Sequence, residues 1–159
     1  MVQFKLDPKD FNCLNTEYNI IPINNQNISQ HYQLIQEAIG HFNRELEWDE
    51  MFTFEEATNR VQNGMVMYIG VINATVFGYV WFKEYVNNRF LFNLFVRNDV
   101  ADKTYTGKEF ASDVINRYEC NKAIHCEVDK WNEKSIKLFK KLGFKTSWSE
   151  KSFYKKHLC

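Results

Sequence analysis

The sequence predicts a mixed α/β domain, a central and mostly antiparallel sheet with one parallel pair, flanked by about four helices. Three observations predict it. Residues 89–144 read as strand, helix, strand, helix, an order that implies two parallel strands joined by a right-handed crossover. Residues 65–96 hold three apolar, β-rich stretches separated by Asn73-Ala74-Thr75 and Asn87-Asn88, the pattern of an antiparallel meander. The chain has 159 residues, of which 45% are hydrophobic and 16% aromatic, enough for one domain spanning 1–159 with a full core.

Taken in order, residues 1–17 show no clear period and read as an N-terminal extension that packs on the domain through Phe4, Leu6 and Phe11. Residues 18–23 are a strand, which Pro22 assigns to an edge or an end. After the polar turn 24–27, Ser29 is placed to cap a helix running to about Phe42, with Leu34, Ile35, Ala38 and Phe42 inward. Thr53 and Glu56 form a capping box for a helix to about Gln62, ended near Asn63-Gly64. Within the meander, Gly70 and Gly78 mark bulges or close backbone approach. Residues 106–118 form a helix with Phe110, Val114 and Tyr118 on one face. Residues 123–128 form a strand, and Asn132 opens a helix with Ile136, Phe139 and Leu142 on one side and Gly143 past its end. Residues 145–148 and 152–157 read as two final strands.

Composition excludes several classes. Twenty basic and twenty acidic residues give a formal net charge of zero, against a general nucleic-acid binder. No apolar run reaches membrane-spanning length, and residues 1–10 lack a signal-peptide core. Cys13, Cys120, Cys126 and Cys159 show no Cys-x-x-Cys spacing and read as reduced thiols of a cytoplasmic protein, with no metal site. The helix start at Thr106-Gly107-Lys108 follows a strand directly. Its unpartnered N–H groups and positive dipole end suit an anion; an ordinary surface helix start is the alternative.

Leu94-Phe95-Val96, then Tyr105 through Ala111, then Val114-Ile115, resemble the acetyl-CoA segment of the GNAT N-acetyltransferases. Residues 131–144, WNEKSIKLFKKLGF, are similar to that family's Asn-x-x-Ala/Ser-x-x-x-Tyr-x-x-x-Gly-Phe helix. Trp131-Asn132 and the upstream elements look most like the diamine branch, of the spermidine/spermine type. The resemblance covers residues 18–157. It implies a GNAT-like acyl-CoA N-acyltransferase fold with its cofactor-binding core at 89–144. It also implies acetyl transfer from acetyl-CoA to a primary amine of a small molecule, and a possible homodimer. By the resemblance, the backbone of Leu94, Phe95 and Val96 binds the acetyl and pantetheine portion. Gly107, Lys108, Glu109, Phe110, Ala111 and Ser112 hold the pyrophosphate, and Asn132 and Ser135 contact the CoA arm. The segment between the first two helices borders the acceptor pocket. There Glu47, Trp48 and Asp49 suit a cationic amine, or else form a solvated acidic loop.

The chain departs from the family pattern at several positions. Thr106 replaces an Arg or Gln, and Glu109 stands where the middle Gly of the turn is usual, bringing charge and bulk toward a pyrophosphate. The loop between Val96 and Thr106 is longer than the family norm. Phe139 takes the place of the Tyr that protonates the leaving thiolate. Phe92-Asn93 replaces the diamine branch's Glu-Asp pair, and the Asn93 amide has no useful basicity. Glu127, beside the cleft on the short strand, is the preferred general base, directly or through water, or else a surface carboxylate near a strand end; Glu47, Asp49, Glu50 and Glu84 are further candidates. Tyr105 or Tyr118 could stand in as acid if the loop folds over the site, and His125 reads as a satisfied sheet histidine. The alternatives are a catalytically weak GNAT-fold protein that binds CoA, another ligand or a protein partner, and a protein N-terminal or lysine acetyltransferase.

Overall fold

The computed structural model describes residues 2–6, 18–45, 53–86, 88–97, 107–118, 123–128 and 132–147. The strands are β1 (Val2–Leu6), β2 (Asn19–Ile23), β3 (Met65–Ile72), β4 (Thr75–Glu84), β5 (Asn88–Val96), β6 (Ala123–Val128) and β7 (Lys145–Ser147). The helices are α1 (Tyr32–Glu45), α2 (Phe54–Gln62), α3 (Gly107–Tyr118) and α4 (Glu133–Lys141). One seven-stranded sheet runs β2-β3-β4-β5-β6-β1-β7. Its pairs are antiparallel except β5 with β6, which are parallel and joined through α3.

Each face of the sheet carries two helices and its own core. On one side α1 and α2 bring Ile35, Ala38, Phe42, Ala57 and Val61 onto Met67, Ile69, Tyr79 and Trp81. On the other, Phe110, Val114 and Ile115 of α3 and Phe139 of α4 pack on Val80, Leu91, Ile124, Cys126 and Val128. The alternation of side chains along each strand feeds both cores at once, which is why β3 and β4 are buried over most of their length.

The meander, the parallel pair and the four helices follow the pattern read in the sequence. Pro22 lies on the edge strand β2, where its missing N–H costs no ladder bond. Three expectations change. Residues 2–6, expected within an extension, form β1, which is hydrogen-bonded on both sides between β6 and β7. Five residues are too few to show a period, yet Phe4 is fully buried. Ser29 caps no α-helix: it lies in a 3-10 turn, Ile28–Gln30, and α1 begins at Tyr32. Of the two final strands, the first is β7, and residues 152–157 lie outside the described residues.

Local chemistry fixes the helix ends. The Thr53 hydroxyl accepts from the Glu56 N–H at 3.0 Å, one of the two bonds of a capping box. The Asn132 side chain accepts from the Ser135 N–H at 3.1 Å. At the end of α4, Gly143 takes a φ of 99°. The Gly143 N–H then bonds the Lys140 carbonyl and the Phe144 N–H bonds the Phe139 carbonyl. This is the Schellman closure, completed by Phe144 packing on Phe139 with ring centroids 5.2 Å apart.

The β3–β4 turn places Asn73 and Ala74 at φ values of 50° and 62°. A left-handed Ala costs about 1–2 kcal/mol. Substituting Gly returns about 0.4–1 kcal/mol of that through the freer unfolded chain. Ala74→Gly is therefore expected to stabilise the protein by roughly 0.5–1 kcal/mol, seen as a higher urea midpoint at unchanged m-value.

Candidate active site

The site is organised by one extra residue in β5. Opposite β4, Trp81 pairs with Asn93 and Phe82 pairs with Leu91, so Phe92 is bulged out of register. The parallel pairing of β5 with β6 covers Asn88, Arg89, Phe90 and Leu91 and stops there. Beyond it, β6 continues against β1 through Glu127 and Val128, while β5 continues against β4 through Val96. A bulge increases local twist and bends its strand, which separates neighbours that sit roughly 4.8 Å apart when paired. Among the described residues, the β6-side backbone of residues 93–96 has no strand partner. This leaves N–H and C=O groups directed at the gap between the two strands.

The side chains along this gap alternate strictly. Leu94 and Val96 pack with the α3 and α4 side, and Phe95 with the α1 and α2 side. Asn93, two residues before Phe95 and opposite Trp81, shares the α1 and α2 side. On β6, Ile124, Cys126 and Val128 fill the α3 and α4 core, so His125 and Glu127 face the other way. Asn93, Phe95, His125 and Glu127 thus meet one side of the sheet at the place where the strands part. His125 is buried and Glu127 is half-buried. The Gln3 side-chain amide donates to Glu127 Oε1 at 3.1 Å. Glu84, another candidate base, is ion-paired with Arg89.

The helices hold their predicted residues differently. Gly107 opens α3, and Glu109, half-buried in its first turn, accepts a bond from the Tyr18 hydroxyl at its carbonyl. Phe110, Ala111 and Ser112 have buried side chains, so what they can offer a ligand is their main chain. Tyr118 stacks on Tyr68 and donates to the Ile20 carbonyl at 3.4 Å, which ties its hydroxyl to the core. Asn132 and Ser135 are joined by the helix cap. Phe139 is 4% exposed and held between Phe4 and Phe144, so this position is part of the core. Glu47, Trp48, Asp49, Glu50, Tyr105 and Thr106 lie outside the described residues. Among the described residues no cluster of three or more His, Cys, Asp and Glu could hold a metal ion. No described helix is long and apolar enough to cross a membrane.

No family model matches the sequence, and no curated protein does. Solved structures do match it. A GCN5-related N-acetyltransferase from Sphaerobacter thermophilus is 11% identical with a TM-score of 0.62, over 92% of this chain and 48% of that one. The chain therefore spans about half the length of that protein. A ribosomal-protein-alanine N-acetyltransferase from Brucella melitensis is 12% identical with a TM-score of 0.58, over 84% of this chain and 96% of that one. An aminoglycoside acetyltransferase from an uncultured soil metagenomic sample is 13% identical with a TM-score of 0.53, over 78% and 86%. The chain has the GNAT fold.

Two features of this GNAT-fold protein carried no sequence signal. Tyr79 is fully buried, its ring among Phe42, Trp81 and Phe95. Its hydroxyl has no hydrogen-bond partner among the described residues. Burial pushes that phenol well above its usual range and keeps it a donor. A buried Tyr on a strand reads as plain core in a sequence. The second feature joins α1 to the end of β5. Arg97, the residue after β5, bonds the Phe77 carbonyl through its N–H and the Val76 carbonyl through its guanidinium at 3.3 Å. That guanidinium also lies 3.4 Å from His41 Nε2. His41 contacts Glu37 at 3.4 Å and Arg44 on its own helix, and Glu37 in turn accepts from the Val76 N–H. These residues are far apart in the chain, and only packing brings them together.

Burial, then the Arg97 charge, lowers the His41 pKa below its usual 6.5, against the smaller opposing effect of Glu37. The unfolded chain then binds a proton that the folded one resists. The stability contribution is complete above pH 6.5 and lost as pH falls through the depressed value. Thermal melts of His41→Gln are expected to show a smaller loss of Tm than wild type between pH 7 and roughly pH 5. At Gly78, a Cβ would meet the Phe95 carbonyl oxygen at 2.5 Å, backbone that cannot rotate away. Gly78→Ala should therefore push β5 from β4 beside the gap. A destabilisation of roughly 1–3 kcal/mol is expected by chemical denaturation.

Proposed function

We propose that the protein is an N-acetyltransferase that carries acetyl from acetyl-CoA to a primary amine of a small molecule. The observation that carries this reading is the parting of β5 and β6 at the Phe92 bulge, followed in the chain by the start of α3. Main-chain groups of Leu94, Phe95 and Val96 beside that gap suit the amide-rich pantetheine arm, and they survive side-chain changes. The first turn of α3 from Gly107 suits the pyrophosphate, by the positive end of the helix dipole and its main-chain N–H groups. Asn132 and Ser135 stand at the start of α4 for the remainder of the CoA arm. When bound, acetyl-CoA supplies an acetyl group activated as a thioester.

The chain's own residues then have three tasks. Backbone N–H groups of β5 donate to charge developing on the acetyl oxygen. Glu127 accepts the proton that the attacking amine gives up. Phe95, with the aromatic residues behind it, forms an apolar wall that keeps the amine desolvated and oriented. The acidic Glu47-Trp48-Asp49 motif favours a cationic acceptor of the diamine type.

A second reading has its own support. Phe139, standing where the resemblance puts the thiolate acid, is bound into the core and has no proton to give. This favours a GNAT-fold protein that binds CoA or another ligand with slow transfer. Calorimetric titration with acetyl-CoA, with CoA for comparison, tests the site that both share. Micromolar binding of acetyl-CoA is expected, and no heat at millimolar cofactor would remove the proposal.

A further inference from the structure

We propose that Gln3 of β1 is a positioning residue for Glu127, so that the first strand of the chain completes the catalytic side of the sheet. The inference rests on the acetyltransferase reading and on Glu127 as its base. Gln3 and Glu127 are paired in register across β1 and β6. Both turn to the α1 and α2 side, because their neighbours Phe4 and Cys126 fill the opposite core. Gln3 is only 4% exposed, and its amide donates to Glu127 Oε1 at 3.1 Å. A long carboxylate at the end of a strand has several rotamers, and a charge-assisted bond from a buried amide selects one of them.

The amide is also the chemically suited donor. It carries no charge and does not titrate, so it orients the base without neutralising it.

Turnover is measured in wild type, Gln3→Leu, Gln3→Met, Glu127→Gln and the Gln3→Leu/Glu127→Gln double variant, each checked for folding by thermal melt. Glu127→Gln is expected to lose roughly 10²–10⁴-fold in kcat. Gln3→Leu and Gln3→Met are expected to lose about 5–20-fold in kcat, with KM for acetyl-CoA within about twofold. In the Glu127→Gln background, Gln3→Leu is expected to cost nothing further, the coupling that a purely structural role would not produce. Equal losses in both backgrounds, or a KM for acetyl-CoA that rises with the fall in kcat, would overturn the proposal. Unchanged kcat in Glu127→Gln would overturn it too, while wild-type turnover left the acetyltransferase reading standing. Absence of wild-type turnover with every amine tried would instead overturn that reading, and this inference with it.

Discussion

Phe92 is one residue more than β5 needs to match β4, and the sheet accommodates it by bulging. A parallel pair is held by evenly spaced, slanted bonds along both strands, and a strand that bends mid-course cannot keep that spacing. Pairing with β6 therefore ends at Leu91, and the residues beyond it pair only with β4. The same step turns Asn93 and Phe95 toward α1 and α2. Removing the extra residue would shift every later β5 side chain to the other face, because the side-chain period is two.

Several positions near the gap are fixed by packing, and this has consequences for how the sequence could vary. Phe110, Ala111 and Ser112 commit their side chains to the core, and Phe139 commits its ring to the closure of α4. Each buried large apolar side chain contributes roughly 1.5–3 kcal/mol, so these positions answer first to packing. The Gly78 contact with the Phe95 carbonyl has the same character: it concerns backbone meeting backbone. A site built this way keeps its shape while the titratable groups around it change.

Several side-chain bonds join distant segments. Gln3 reaches Glu127 from the far end of the chain, and Arg97 reaches His41 and the Val76 carbonyl across two elements. These bonds are cheap in local conformation and depend entirely on register. A one-residue slip of β1 against β6 would turn Gln3 into the α3 and α4 core and replace it with Phe4.

The sequence by itself determined whatever is set within a few residues. The capping box at Thr53, the cap at Asn132, the Gly143 stop, the Asn73-Ala74 turn and the amphipathic period of α3 and α4 are local energetics, and each was legible for that reason. The strand–helix–strand–helix order of residues 89–144 likewise implied the parallel pair, since a crossover admits little else. Tertiary structure decided the rest. The place of β1 between β6 and β7, the start of α1 beyond Ser29, the single bulged residue of β5 and the partners of Glu127 and His41 all depend on which strand lies beside which. That choice is made by long-range packing of two cores at once, and no local pattern of residues records it.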